Sequence, residues 1–69
     1  MKRENINDVR IAEKAFLTLK EAASYFNIGQ DKLRYLTDER DCKFVLFNGS
    51  KRLIKRELME EYLNRQYSI

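Results

Sequence analysis

The chain has 69 residues, with 14 Lys+Arg against 11 Asp+Glu for a formal net charge of +3, and it contains no His, no Trp, no Pro and a single Cys. Its length is that of one small domain, which buries only about 60% of the surface its unfolded chain exposes. The missing His excludes a Ser-His-Asp triad, a His acid–base pair and His metal ligands, and the lone Cys42 excludes an internal disulfide or a thiolate zinc cluster.

Hydrophobic residues make up 43% of the chain, enough for a core and too many for wholesale disorder. No apolar run is long enough to span a membrane, and Met1-Lys2-Arg3-Glu4 has no apolar stretch behind it, so it is not a signal peptide. A small domain without disulfides suits a reducing cytosol. These exclusions favour a cytoplasmic binding module over an enzyme, with no cofactor and no metal. The charge is unevenly spread: residues 1–29 carry +1, residues 30–56 carry +4 and residues 57–69 carry −2. A basic middle segment is a solvated face unless its charges share one surface, where it becomes an anion-binding footprint.

Residues 1–13 are mostly polar and read as a mobile N-terminal arm, leaving 14–69 as the folded domain. Thr18-Leu19-Lys20-Glu21 is a capping box, in which the Thr hydroxyl and the Glu carboxylate each satisfy the other residue's backbone N–H. Leu17 before the cap and Ala22 after it can form a hydrophobic staple, and a short strand precedes the helix. From the cap a helix runs to about Phe26, with Leu19, Ala22, Ala23 and Phe26 on one face. Asn27-Ile28-Gly29 breaks it, with Gly29 as the residue for a positive φ or an N-cap.

A second helix is predicted over Gln30–Asp38. Leu33 and Leu36 point inward, Asp31, Arg34, Tyr35 and Asp38 point to solvent, and Gln30, Lys32 and Thr37 flank them. Two short helices joined by a tight turn form a helix-turn-helix pattern. Lys43–Phe47 is rich in β-branched and aromatic residues and reads as a strand. Asn48-Gly49 follows as a type I′ hairpin turn, and Ser50–Lys55 returns as the partner strand. The hairpin tip carries Asn48, Ser50, Lys51 and Arg52, which are unsuited to a core. A basic hairpin after a helix-turn-helix is a wing. A last helix is predicted from Arg56 to about Tyr67, packing through Leu58, Met59, Tyr62 and Leu63. The expected fold is α+β, a winged helix-turn-helix.

The segments Leu17–Gly29, Lys32-Leu33-Arg34, Phe47-Asn48-Gly49 and Arg52–Arg56 resemble the small excisionases of conjugative transposons of Gram-positive bacteria. The likeness spans about residues 16–63, nearly the whole domain. Lys32-Leu33-Arg34-Tyr35 also resembles the recognition helix of MerR-type regulators, whose head has the same architecture. The resemblance implies a non-catalytic protein that binds and bends double-stranded DNA near the ends of an integrated element. A separate tyrosine recombinase, the integrase, would cut and rejoin the strands, and the excisionase would bias it toward excision. It also implies copies binding side by side on DNA, in the cytoplasm at the nucleoid. Other readings are a small MerR-like transcriptional regulator, which the lack of a long helix after Leu63 disfavours, and a protein-interaction adaptor for a recombinase.

Within this frame the recognition helix offers Gln30, Lys32, Arg34 and Tyr35. Arg34 can pair bidentately with guanine or phosphate, Lys32 acts as a point charge, and Gln30 at the helix start can read adenine. As ordinary surface chemistry, the first two are solvated charges and Gln30 a first-turn polar residue. Tyr35 can donate to a phosphate or pack under the helix. At the wing, Asn48, Ser50, Lys51 and Arg52 face phosphates or a minor groove; the ordinary role of Lys51 and Arg52 is to protect a sheet edge. Thr18 and Lys20 at the start of the first helix, and Lys55 and Arg56 at the start of the last, are further candidates for phosphate contact. Cys42 reads as a partly buried structural residue, and Asp38/Glu39 and Glu60/Glu61 as solvated acids.

Overall fold

A computed structural model describes residues 10–69. Most of the expected arm, 1–9, lies outside the described residues. Its last part, Ile11–Glu13, forms a single 3₁₀ turn, and Ile11 packs against the core.

Thr18 is extended and its Oγ1 accepts the Glu21 N–H at 3.1 Å, while Glu21 Oε1 accepts the Thr18 N–H at 3.0 Å. This closed cap starts helix α1 (Leu19–Phe26), directly after strand β1 (Phe16–Thr18). Helix α1 ends where Asn27 turns left-handed at φ 58° and Ile28 N–H bonds back to the Ala23 carbonyl at 3.0 Å. Asn is among the few non-glycine residues that tolerate this conformation. Of the two roles open to Gly29, a positive φ or an N-cap, the positive φ therefore falls on Asn27. Gly29 is instead the extended N-cap of helix α2 (Gln30–Asp38), at φ −62° and ψ 149°.

Strands β2 (Val45–Asn48) and β3 (Lys51–Lys55) form an antiparallel hairpin, and β1 adds to the other side of β3 in the order β1-β3-β2. The register places Leu17 and Val45 on either side of Ile54, so one face of the sheet turns to the core. That register also moves the turn. Asn48 pairs with Lys51 as the last residue of β2, the loop is Gly49-Ser50, and only Gly49 has a positive φ, at 63°. A lone positive φ at the first loop position is the II′ pattern, not the I′ turn expected on Asn48-Gly49. Val45 is half-buried on the same side as the fully buried Ile54, and a shift of one residue would turn it to the opposite face.

Helix α3 (Arg56–Asn64) packs Met59 into the core and ends three residues before the expected Tyr67. The N–H groups of Arg65 and Gln66 bond three residues back, to Tyr62 and Leu63, which tightens the last turn into a stop. Beyond Leu63 no side chain reaches the core, and Tyr67 is fully exposed. The core itself is Leu17, Ala22, Leu33, Phe44, Ile54 and Met59, with at least one residue from every helix. Ala22, fully buried, leaves room for close approach to α1. Phe44 stacks at a tilt on Tyr62 with ring centroids 5.0 Å apart. Cys42 packs against this core, and burial pushes its thiol pKa up, so it is not a thiolate nucleophile near neutral pH. Among the described residues no helix is long and apolar enough to cross a membrane.

Candidate nucleic-acid interface

Helix α2 turns Leu33 inward and sends Gln30, Lys32, Arg34 and Tyr35 to solvent, with Tyr35 64% exposed. A helix held by only part of its surface leaves the rest free for a groove, and recognition helices use this. Arg34 touches Asp31 one turn back at 3.6 Å, a loose and exposed pair that leaves most of the guanidinium free. Lys32 has no ion pair among the described residues.

Thr37, expected on a flank, is fully buried and stands one turn after Leu33. Its hydroxyl donates to the Leu33 carbonyl at 2.8 Å, which satisfies the polar group locally. The spacing of four residues from Leu33 was the signal for this inward position.

At the wing tip Asn48, Ser50 and Lys51 are exposed, and Lys51 has no ion pair among the described residues. Arg52 is placed differently. It alternates to the opposite face of β3 from Lys51 and turns toward α2. Its Nη1 donates to the Thr37 hydroxyl at 2.9 Å and the Arg34 carbonyl at 3.3 Å, and its Nη2 pairs with Asp38 at 3.1 Å. The guanidinium also lies over the Phe47 ring, 5.4 Å from its centroid. Phe47, not among the candidate contact residues read from the sequence, is 54% exposed on the wing under the Arg52 guanidinium. Its position directly opposite Arg52 was readable only from the register.

The remaining candidates differ in how free they are. Thr18 sits on the edge strand β1 and is engaged in the α1 cap. Lys20 is exposed in the first turn of α1. Lys55 is half-buried at the far end of β3, opposite Phe16. Arg56 is held within the fold: its Nε donates to the Lys14 carbonyl at 2.7 Å and its Nη1 to Glu60 at 3.1 Å, and Glu60 also accepts from the Tyr25 hydroxyl at 2.8 Å. Lys14 in turn bonds Glu21 at 2.6 Å, and that bond, with the Thr18 N–H, holds the Glu21 carboxyl below its usual range. The structure thus leaves Gln30, Lys32, Arg34 and Tyr35 exposed on α2, and Arg52 ties the basic wing to that helix at Arg34, Thr37 and Asp38. Lys55 and Arg56 take no part in that tie. A convex helix face beside a projecting basic hairpin suits a duplex, with the helix in one groove and the hairpin along the adjoining backbone.

Residues 16–67 match a family described as a helix-turn-helix domain. Over 58 residues the chain is 38% identical to the excisionase from transposon Tn916 of Streptococcus agalactiae, an alignment that covers 83% of this chain and 87% of that protein.

Proposed function

The chain belongs to this helix-turn-helix domain family and is a non-catalytic, excisionase-type DNA-binding protein, and we propose that it directs a tyrosine recombinase toward excision of a mobile element. In this reading it binds near the element's ends, with α2 in the major groove and the wing on the flanking backbone. It bends the duplex so that the integrase bound nearby meets its partner sites. Copies bind side by side, and the protein works in the cytoplasm at the nucleoid. The observation that carries this is the pairing of an exposed recognition helix with a basic wing held beside it by Arg52. The name of the excisionase relative supports the recombination role.

Within the surface, Gln30 and Arg34 read base edges, Lys32 and Tyr35 flank them, and Asn48, Ser50 and Lys51 meet the backbone. Thr18 and Lys20 add a contact at the start of α1. The test uses the ends of the element that encodes the protein. Circular-permutation gel shifts should show mobility that depends on the position of the bound site, and the protein should raise the yield of excised circle when purified integrase acts on a plasmid carrying both ends. Straight DNA, or a yield unchanged by the protein, overturns the proposal.

A further inference from the structure

We infer that Arg52 is a positioning residue for DNA recognition, a strut that fixes the wing against the recognition helix and so sets the spacing of two elements that enter DNA together. The inference rests on reading α2 and the wing as the DNA face. Its basis is the set of acceptors around one guanidinium. Nη1 reaches the Thr37 hydroxyl and the Arg34 carbonyl, Nη2 reaches Asp38, and the Phe47 ring lies beneath. Among the described residues, Arg52 supplies every side-chain hydrogen bond and ion pair between the wing and α2.

The wing needs such a tie. β1 pairs with β3 only at Leu53, Ile54 and Lys55, so the tip from Phe47 to Arg52 is a bare two-stranded ribbon. A hairpin of two strands is marginal by itself. The anchor on α2 is firm, because Thr37 is fully buried and its hydroxyl is fixed by its own bond to Leu33. The cation also lies by the last turn of α2, where the helix dipole favours positive charge. Only an arginine fork spans these acceptors while stacking on a ring; the ammonium of lysine is a point donor. With Asp38 already paired to it, Arg52 adds little attraction for phosphate. Strut and direct contact therefore differ in what they predict.

The experiment uses the whole chain and a short duplex that the wild-type protein selects from a random-sequence pool, with a scrambled duplex of equal length as competitor. Affinities for both are measured across a salt series for wild type, Arg52→Gln, Arg52→Lys and Thr37→Val, each at a temperature where circular dichroism shows it folded. A strut predicts that Arg52→Gln lowers the ratio of selected to scrambled affinity about tenfold, the order of one lost base contact, with the salt slope unchanged. Arg52→Lys does not restore the ratio. Thr37→Val, which removes a single hydroxyl, lowers the ratio in the same direction. A salt slope that falls by about 1 in Arg52→Gln, with the ratio kept, makes Arg52 a phosphate contact and overturns the strut; a ratio unchanged in both Arg52→Gln and Thr37→Val also overturns it. If the wild type selects no duplex, the reading of the face falls and the strut with it; if it selects one and only the variants disagree, the strut falls alone.

Discussion

Two regions of this small fold treat positive charge in opposite ways. Where the segment before β1 meets α1 and α3, cations are tied into the structure. Lys14 is held by Glu21, and Arg56 by the Lys14 carbonyl and Glu60. Along α2 and the wing, Lys32 and Lys51 stand exposed without an ion pair among the described residues, and Arg34 reaches Asp31 only loosely. A half-buried cation close to a carboxylate stabilises the fold and is lost to any ligand. A solvated one is free to neutralise a phosphate and release the counterions condensed on the nucleic acid, which drives binding. Arg52 crosses this division: it lies in the second region and is bound like a member of the first.

Both regions stand on one core, and the largest effect should show it. Leu33, fully buried, sits on the recognition helix and packs with Leu17, Ile54 and Met59. Leu33→Ala should lose about 2–5 kcal/mol, enough to unfold much of a marginally stable domain. Thermal melts followed by far-ultraviolet circular dichroism and by Tyr fluorescence should shift together. If the probes separate, the two regions are not one cooperative unit.

The tied region should then show its charges in the pH dependence. Glu21→Gln keeps a side chain able to accept the Thr18 N–H but removes the ion pair with Lys14. The expected loss is about 1 kcal/mol at neutral pH. Because the folded carboxyl titrates below its ordinary 4.5, its contribution is complete above that value and disappears as pH falls through the lowered one. The gap in melting temperature between wild type and Glu21→Gln should therefore narrow on acidification. A gap that stays constant with pH would show that the carboxylate charge is not what stabilises this region.

How far the sequence revealed this division depends on the range of the interactions. The capping box, both helices of the helix-turn-helix and the wing were legible because each rests on neighbours within four residues or on a turn signal. The turn type was missed because Asn48-Gly49 suits I′ locally, whereas the register is set by Val45 and Leu17 meeting Ile54 across the sheet. Gly29 suits a positive φ or an N-cap locally, and its neighbours did not decide between them: Asn27 takes the left-handed turn and Gly29 the N-cap. The candidate site divided in the same manner. Exposure of Gln30, Lys32, Arg34 and Tyr35 follows from helical period alone. The engagement of Arg52 with Thr37, and of Arg56 with Lys14 and Glu60, joins residues 15, 42 and 4 positions apart and depends mostly on the tertiary fold.

In the open region, Lys51→Ala should leave stability within about 0.5 kcal/mol, as for an exposed residue with no buried partner. Its effect should appear in DNA binding, where the dependence of log affinity on log salt should become shallower by about 1. Arg34→Ala should instead weaken the selected duplex more than a scrambled one. A Lys51→Ala protein with an unchanged salt slope would remove the wing tip from the interface and leave the helix to bind alone.

The smallest effect concerns the two helix starts. α1 is closed by Thr18 and Glu21, whereas Gly29 leaves α2 with no side-chain cap. Nothing lies within 4 Å of a Cβ built on Gly29, and its φ is ordinary for any residue. The site therefore accepts a capping side chain without strain. Gly29→Ser and Gly29→Asp should each raise stability by a few tenths of a kcal/mol. Their binding should diverge. Serine adds a cap without charge and should hold DNA affinity near wild type, while aspartate sets a carboxylate in front of Gln30 and should repel the backbone. Equal affinity for the two variants would mean that the start of α2 stays away from phosphate. A loss confined to aspartate would place the start of α2 against phosphate, since the two variants close the helix alike and differ there only in charge.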